Sequence, residues 1–123
     1  MRLTAGQRLR RNTDFRAVRE QGRRADCGAF LLTWRLRPAD AGAAPRARVG
    51  VVASRAAVGD AVERNRAKRR LREIYRKHQA LVPADLDLVL TSRAALLRLE
   101  FAEVEQRFVA ACRKLAVAVP PHV

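Results

Sequence analysis

Residues 63–77, ERNRAKRRLREIYRK, constrain the fold more than any other stretch of the chain. At ~100° per residue, a helix places Ala67, Leu71, Ile74, Tyr75 and His78 on one side. Asn65, Arg69, Arg72 and Arg76 then form a stripe on the opposite side, and Arg66, Arg70 and Lys77 form a second basic stripe beside it. Arg64 projects near the apolar side with Leu71, at the N-terminal end, where it is expected to cap the sheet edge. One face must lie on an apolar layer, which leaves the cations pointing outward. Glu63 and Glu73 are the only acids here, so few i,i+4 pairs can neutralise the arginines. The planar guanidinium fork suits phosphate better than a point charge does. The pattern points to a polyanion partner rather than to a merely solvated helix.

The rest of the chain supplies the apolar layer. Residues 29–37 alternate, with Phe30, Leu32, Trp34 and Leu36 against Leu31, Thr33, Arg35 and Arg37, which is the period of a strand. Trp34 shares the apolar side, so it is expected in the core. Residues 47–54 alternate in the same way and are expected to pair with 29–37 as an antiparallel hairpin across the turn-rich segment 38–46. Residues 86–91, LDLVLT, are almost continuously apolar and read as a central strand. A short edge strand is expected within 22–26. Before it, Asn12, Thr13 and Asp14 offer a helix start, and a short helix over 13–21 ends at Gly22. Asp60 is a candidate N-cap for the basic helix, which is expected to run to Gln79 and to stop before Pro83. A last helix over 100–117 carries Phe101, Val104, Phe108, Ala111, Cys112 and Leu115 at helical spacing.

The order is helix, two or three strands, helix, strand, helix. It predicts an α+β sandwich in which one mixed sheet of about four strands carries packed helices. A length of 123 residues bounds this to one domain, 1–118, with a basic arm over 1–11 and a tail over 119–123 expected to be disordered. The core must be aliphatic, because only 5% of residues are aromatic.

The net charge of +14 calls for an acidic partner. It is concentrated in residues 1–24 and 63–78, while residues 79–123 carry five charges of each sign, as expected of a binding surface. No apolar run reaches the ~20 residues that span a bilayer, and no secretory pattern follows Met1, so a cytoplasmic location is expected. Cys27 and Cys112 fit reduced thiols. With His78 and His122 they offer no metal-ligand spacing.

No catalytic set is present. His78 lies on the apolar side of its helix and His122 is in the tail. Asp85 and Asp87 can share one strand face, but no third carboxylate supports a nuclease metal site. The chain reads as a binder whose partner supplies the chemistry.

Arg64-Asn65-Arg66, then Lys68-Arg69 and Arg72, within GDAVERNRAKRRLREIYR, resemble the RNR signature of the bacterial ribonuclease P protein component family. Residues 9–22 with Asp14-Phe15, then Phe30-Leu31-Leu32, Arg48-Val49-Gly50, and Asp87-Leu88-Val89-Leu90 followed by Arg93 are similar to its other elements. The resemblance covers residues 2–116. It implies an αβββαβα fold with a left-handed βαβ crossover through the basic helix, where the general rule would give a right-handed one. It implies a subunit of an endoribonuclease that removes the 5′ leader of precursor tRNA. The active site and its Mg²⁺ would reside in a catalytic RNA, with no catalytic or metal-binding residue in this chain, which would be monomeric in isolation. Arg64, Asn65, Arg66, Lys68, Arg69 and Arg72 would contact that RNA, with Arg76 and Arg55 beside them. A cleft between the first helix and the sheet would hold the single-stranded leader, lined by Arg11, Phe15, Arg19, Phe30 and Arg48. The chain departs from the family at Arg19, where an aromatic is usual, at Thr33, where the nearest aromatic is Trp34 on the other side, and at Arg55-Ala56, where two basic residues are usual. Arg19 is expected to substitute by charge or guanidinium stacking.

Two other readings compete. A basic structural RNA-binding protein of ribosomal type shares the charge and the small α/β form. A DNA reader of helix-turn-helix type needs a helix and short turn before the basic helix, where a strand and loop are expected instead. Neither DNA nor a membrane is expected as partner, since the basic helix has few large apolar residues.

Overall fold

The computed structural model describes residues 12–37 and 47–118. The expected arm with Arg11, the turn 38–46 and the tail lie outside the described residues.

The elements are α1 (Asn12–Gln21), β1 (Arg23–Asp26), β2 (Phe30–Leu36), β3 (Arg48–Val52), α2 (Arg55–Val58), α3 (Ala61–His78), β4 (Leu86–Ser92) and α4 (Phe101–Ala118). Single 3₁₀ turns follow α3, at Gln79–Leu81, and β4, at Ala94–Leu97. The four strands form one mixed sheet in the order β1-β2-β4-β3. β1 and β4 both pair antiparallel with β2, and β3 pairs parallel with β4.

The expected hairpin between β2 and β3 does not form. β4 lies between them, pairing along its whole length with β2, from Phe30 opposite Ser92 to Leu36 opposite Leu86. The reason is its own composition. β4 is buried on both faces except at Thr91, so it takes an interior position and displaces the sequence-adjacent pairing. β3 and β4, parallel neighbours joined through α3, make a βαβ unit.

Alternation assigns the two sheet faces. Phe30, Leu32 and Trp34 of β2, Val49 of β3, and Leu86, Leu88 and Leu90 of β4 face the main core. Ala67, Leu71, Ile74 and Tyr75 of α3 close over it with Val104, Phe108, Ala111, Cys112 and Leu115 of α4. Phe108 is the hub, with its ring centroid 6.3 Å from Phe30, 6.4 Å from Tyr75 and 6.5 Å from His78. On the opposite face α1 packs Val18 against Val89, flanked by Phe15 and Val52. That second layer explains why Thr33 and Asp87, both polar, are buried.

Two caps hold α3 in place. The Asp60 carboxylate accepts from the Glu63 amide at 2.9 Å, as expected of an N-cap. The preceding turn, α2, is capped by Ser54, which accepts from Ala57 N at 3.2 Å, and ends at Gly59, whose φ of +126° is a conformation for glycine alone. Nothing in the alternation or charge pattern had marked α2.

Candidate nucleic-acid interface

α3 sorts its basic residues by what lies beneath them. Its apolar side docks on the sheet, so residues flanking that side meet α4 and the turn before it. Arg70 Nη1 donates to the carbonyls of Leu96 (2.7 Å) and Leu99 (2.9 Å), which fixes the 3₁₀ turn before α4. Lys77 pairs with Glu105 at 3.4 Å and lies 5.4 Å from the Phe101 ring. His78 Nε2 sits 2.9 Å from the same Glu105 carboxylate. Arg76 is paired along the helix with Glu73, its Nε 3.2 Å from Oε2. Arg70 and Lys77 of the second basic stripe, and Arg76 of the first, are therefore spent on intramolecular contacts.

The outward side is different. Asn65, Arg66, Arg69 and Arg72 are exposed, and Arg64 and Lys68 half-buried. Arg66, Lys68 and Arg69 have no ion-pair or hydrogen-bond partner among the described residues. Arg64 lies in the first turn of α3. Its Nε is shut off from water with no hydrogen-bond partner. Val62, at 68% exposure, adds apolar surface one turn before Arg66. Arg55 is exposed on α2, next to the N-terminal end of α3. The result is a rigid helical face carrying unneutralised guanidiniums, which suits a phosphate backbone.

A second surface lies between α1 and the sheet. Cross-strand registry floors it with three rows. Val52, Thr91 and Leu31 stand abreast, then Gly50, Val89 and Thr33, then Arg48, Asp87 and Arg35. Phe15 is half-buried at this layer, and Arg19 is exposed on α1 without a partner among the described residues. Phe30 is not part of this surface. Its neighbours in the strand direction, Leu31 and Thr33, face α1, while Phe30 itself is fully buried against Phe108 on the other side. Period-two alternation requires this, since Phe30 shares its face with Leu32 and Trp34. Trp34 lies in the core as expected, with the Arg23 guanidinium 5.8 Å from its ring.

The charged row was the least visible in sequence. Asp87 is completely buried, and Arg48 grips it bidentately, Nε to Oδ1 at 2.9 Å and Nη2 to Oδ2 at 2.8 Å. Arg37 Nε donates to Oδ1 at 3.3 Å, and Arg35 Nη2 lies 3.5 Å from Oδ2. Arg35 also donates from Nη1 to the Gln21 side chain at 2.9 Å, tying the end of α1 to the sheet. Burial pushes the Asp87 carboxyl up, but the hydrogen bonds and charges of Arg48 and Arg37 outweigh it and hold the group below its ordinary range. Both carboxylate oxygens are engaged by arginines. Among the described residues no cluster of three His, Cys, Asp or Glu side chains could hold a metal ion. No helix is long and apolar enough to cross a membrane, again among the described residues.

Fold and surface together define a small α+β protein built to meet a polyanion, with a cationic helix on one face and a mixed apolar and cationic surface on the other. Comparison with known proteins specifies which kind. The family described as Ribonuclease P matches residues 3–116. The ribonuclease P protein component of Desulfovibrio desulfuricans is 39% identical over 117 residues, spanning 92% of this chain and 85% of the relative. That of Streptomyces avermitilis is 38% identical over 119 residues, spanning 92% and 94%. The solved RNase P protein from Thermotoga maritima superposes with a TM-score of 0.74 at 26% identity, covering 87% of this chain and 96% of that one. The chain belongs to the ribonuclease P protein component family.

Proposed function

We propose that the chain, as the protein subunit of ribonuclease P, grips the catalytic RNA with the outer face of α3 and the 5′ leader of precursor tRNA with the groove under α1. The holoenzyme is an endoribonuclease, and the chain assists removal of the leader to give the mature tRNA 5′ end. The observation that carries this reading is the sorting of cations on α3. Arg70, Arg76 and Lys77 are held by carbonyls or carboxylates, whereas Arg66, Lys68 and Arg69 face outward with no partner among the described residues. Arg64, Asn65, Arg72 and Arg55 extend that face.

The groove supports a single strand. Its open apolar row is Val52, Thr91 and Leu31, the row of Gly50, Val89 and Thr33 is covered by α1, and the third row is cationic; Phe15 serves as a stacking platform and Arg19 as a cation. Arg48 contributes from within its pair with Asp87. The strand would lie along the groove with bases toward Phe15 and the open row of Leu31, Thr91 and Val52, and phosphates toward the arginines. In this reading hydrolysis belongs to the RNA and to Mg²⁺ held by that RNA, and the chain supplies no catalytic group. The work of the chain is electrostatic and positional, and it acts as a monomer in the cytoplasm.

Assembly with the catalytic RNA, followed by precursor-tRNA cleavage at low Mg²⁺, tests the assignment. The expected result is a faster rate than RNA alone. No enhancement would reject it in favour of a structural RNA-binding role. Tighter binding of leader-bearing than of mature tRNA is expected from the groove, and equal affinities would reject that part.

A further inference from the structure

The charged row on the α1 face contains an acid where a surface for a polyanion should have none. Asp87 is fully buried in the central strand, and its two oxygens organise three guanidiniums from three directions: Arg35 from β2, Arg48 from β3, and Arg37 from the residue after β2. The side chains of Arg35 and Arg37 are only 11% and 6% exposed, and that of Arg48 25%. A lone guanidinium would not remain so buried, because desolvation without a counter-charge is costly. The carboxylate makes their placement possible. Three cations against one anion leave an excess of positive charge, with Asp14 the further acid whose field reaches Arg48. The set is not saturated. Arg48, the most exposed of the three, uses only Nε and Nη2, with no further partner among the described residues.

We propose that Asp87 is a positioning residue for leader binding: it holds Arg35, Arg37 and Arg48 as a preformed cationic end-wall of the groove under α1, against which leader phosphates seat. This deepens the groove reading above and rests on it. A free arginine loses side-chain freedom when it binds a phosphate, whereas one already fixed by Asp87 has lost it during folding. Arg35 links the same wall to α1 through Gln21, so Asp87 also sets the mouth of the groove at that end.

Removal of the charge distinguishes positioning from plain electrostatics by the sign of the effect. Asp87→Asn raises the net positive charge of the groove. If Asp87 merely offset the arginines, the substitution would tighten leader binding and steepen its salt dependence. Positioning predicts the opposite, a weakening despite the added positive charge. The experiment uses the holoenzyme assembled from the full chain and its catalytic RNA. Affinities are measured for leader-bearing precursor tRNA and for mature tRNA across a chloride series, with thermal unfolding of each variant as the check on folding. The expected result for D87N is a roughly tenfold loss for the leader-bearing substrate, with mature tRNA and catalytic RNA bound as before. In the D87N/R48Q double variant the loss should not exceed that of R48Q alone, since the two act as one unit. Should D87N fail to fold, Asp87→Glu keeps the charge and moves the carboxylate by one methylene. Positioning predicts a leader-specific loss there too, and wild-type affinity would overturn it. Tighter or unchanged leader binding in a folded D87N, or equal losses for both tRNAs, overturns the proposal. If the wild type itself fails to prefer the leader-bearing substrate, the groove reading falls and the proposal falls with it. A wild-type preference that survives in D87N removes only the role of Asp87.

Discussion

Gly22 shows how much a single residue can decide. In sequence it reads as an ordinary helix terminator, yet its φ is not positive. A Cβ at this position would lie 2.3 Å from the Val18 carbonyl oxygen and 2.6 Å from that of Trp34. Gly22 is where the chain leaving α1 presses against β2, and the neighbours are backbone atoms that cannot rotate away. Gly22→Ala is expected to destabilise the fold by about 1–3 kcal/mol, measurable by denaturant unfolding. The thiols give a second test. Burial, with a smaller contribution from Cys27, pushes the Cys112 thiol up to about 12. At pH 8 it should resist a thiol reagent until the chain unfolds, whereas a fast reaction in the folded state would contradict its place on the buried face of α4. Asp87 gives a third. Its carboxyl is held below the ordinary aspartate range, so it stabilises the fold above that range, ~4, and the contribution disappears as pH falls through the folded value. Unfolding free energy should therefore drop on acidification below about pH 4, and D87N should flatten that part of the profile. Nothing local in the sequence announces this role. Asp87 reads as an acid flanking a strand, and only the pairing of β2 and β3 on either side of β4 brings Arg35 and Arg48 abreast of it.

At the scale of elements, α3 divides what periodicity can tell from what it cannot. The 3.6-residue period identifies the buried set Ala67, Leu71, Ile74 and Tyr75 without any coordinates. It puts Arg69 and Arg70 in neighbouring basic stripes but cannot say which of the two is spent on the fold. The separation comes from α4 and its preceding turn, which approach one flank of the helix and offer the Leu96 and Leu99 carbonyls to Arg70. The two should therefore fail in different ways. Arg69→Ala should weaken binding to the catalytic RNA and reduce its salt slope by about one lost phosphate contact, while leaving thermal stability unchanged. Arg70→Ala should cost about 1–3 kcal/mol of stability by stripping two carbonyls of their charged donor. Salt titrations and melting curves on the same pair of variants check both. The strands follow the same logic. Alternation locates β2, β3 and β4 and assigns their faces, which also places Phe30 away from the groove. Partner choice is different, because the preference for pairing sequence neighbours is weaker than the need of β4 for cover on both edges and both faces.

For the whole molecule, the net charge of +14 acts in two opposite ways. In the free chain the uncompensated cations of α3, α1 and β1 repel one another, and this self-repulsion opposes the compact state. The ion pairs that hold the groove, centred on Asp87, are buried and little affected by mobile ions. Added salt should therefore relieve the repulsion while leaving those pairs intact. Toward RNA the same cations are the binding energy, and salt removes the entropy gained when counterions leave the phosphates. A chloride series from about 50 mM to 500 mM, which shortens the screening length roughly threefold, should raise the melting temperature of the free protein and lower its affinity for the catalytic RNA. The two trends arise from one charge distribution and should have opposite signs. A melting temperature that falls with chloride would mean that exposed ion pairs, such as Lys77 with Glu105 and Arg93 with Asp26, stabilise the fold more than the excess positive charge destabilises it.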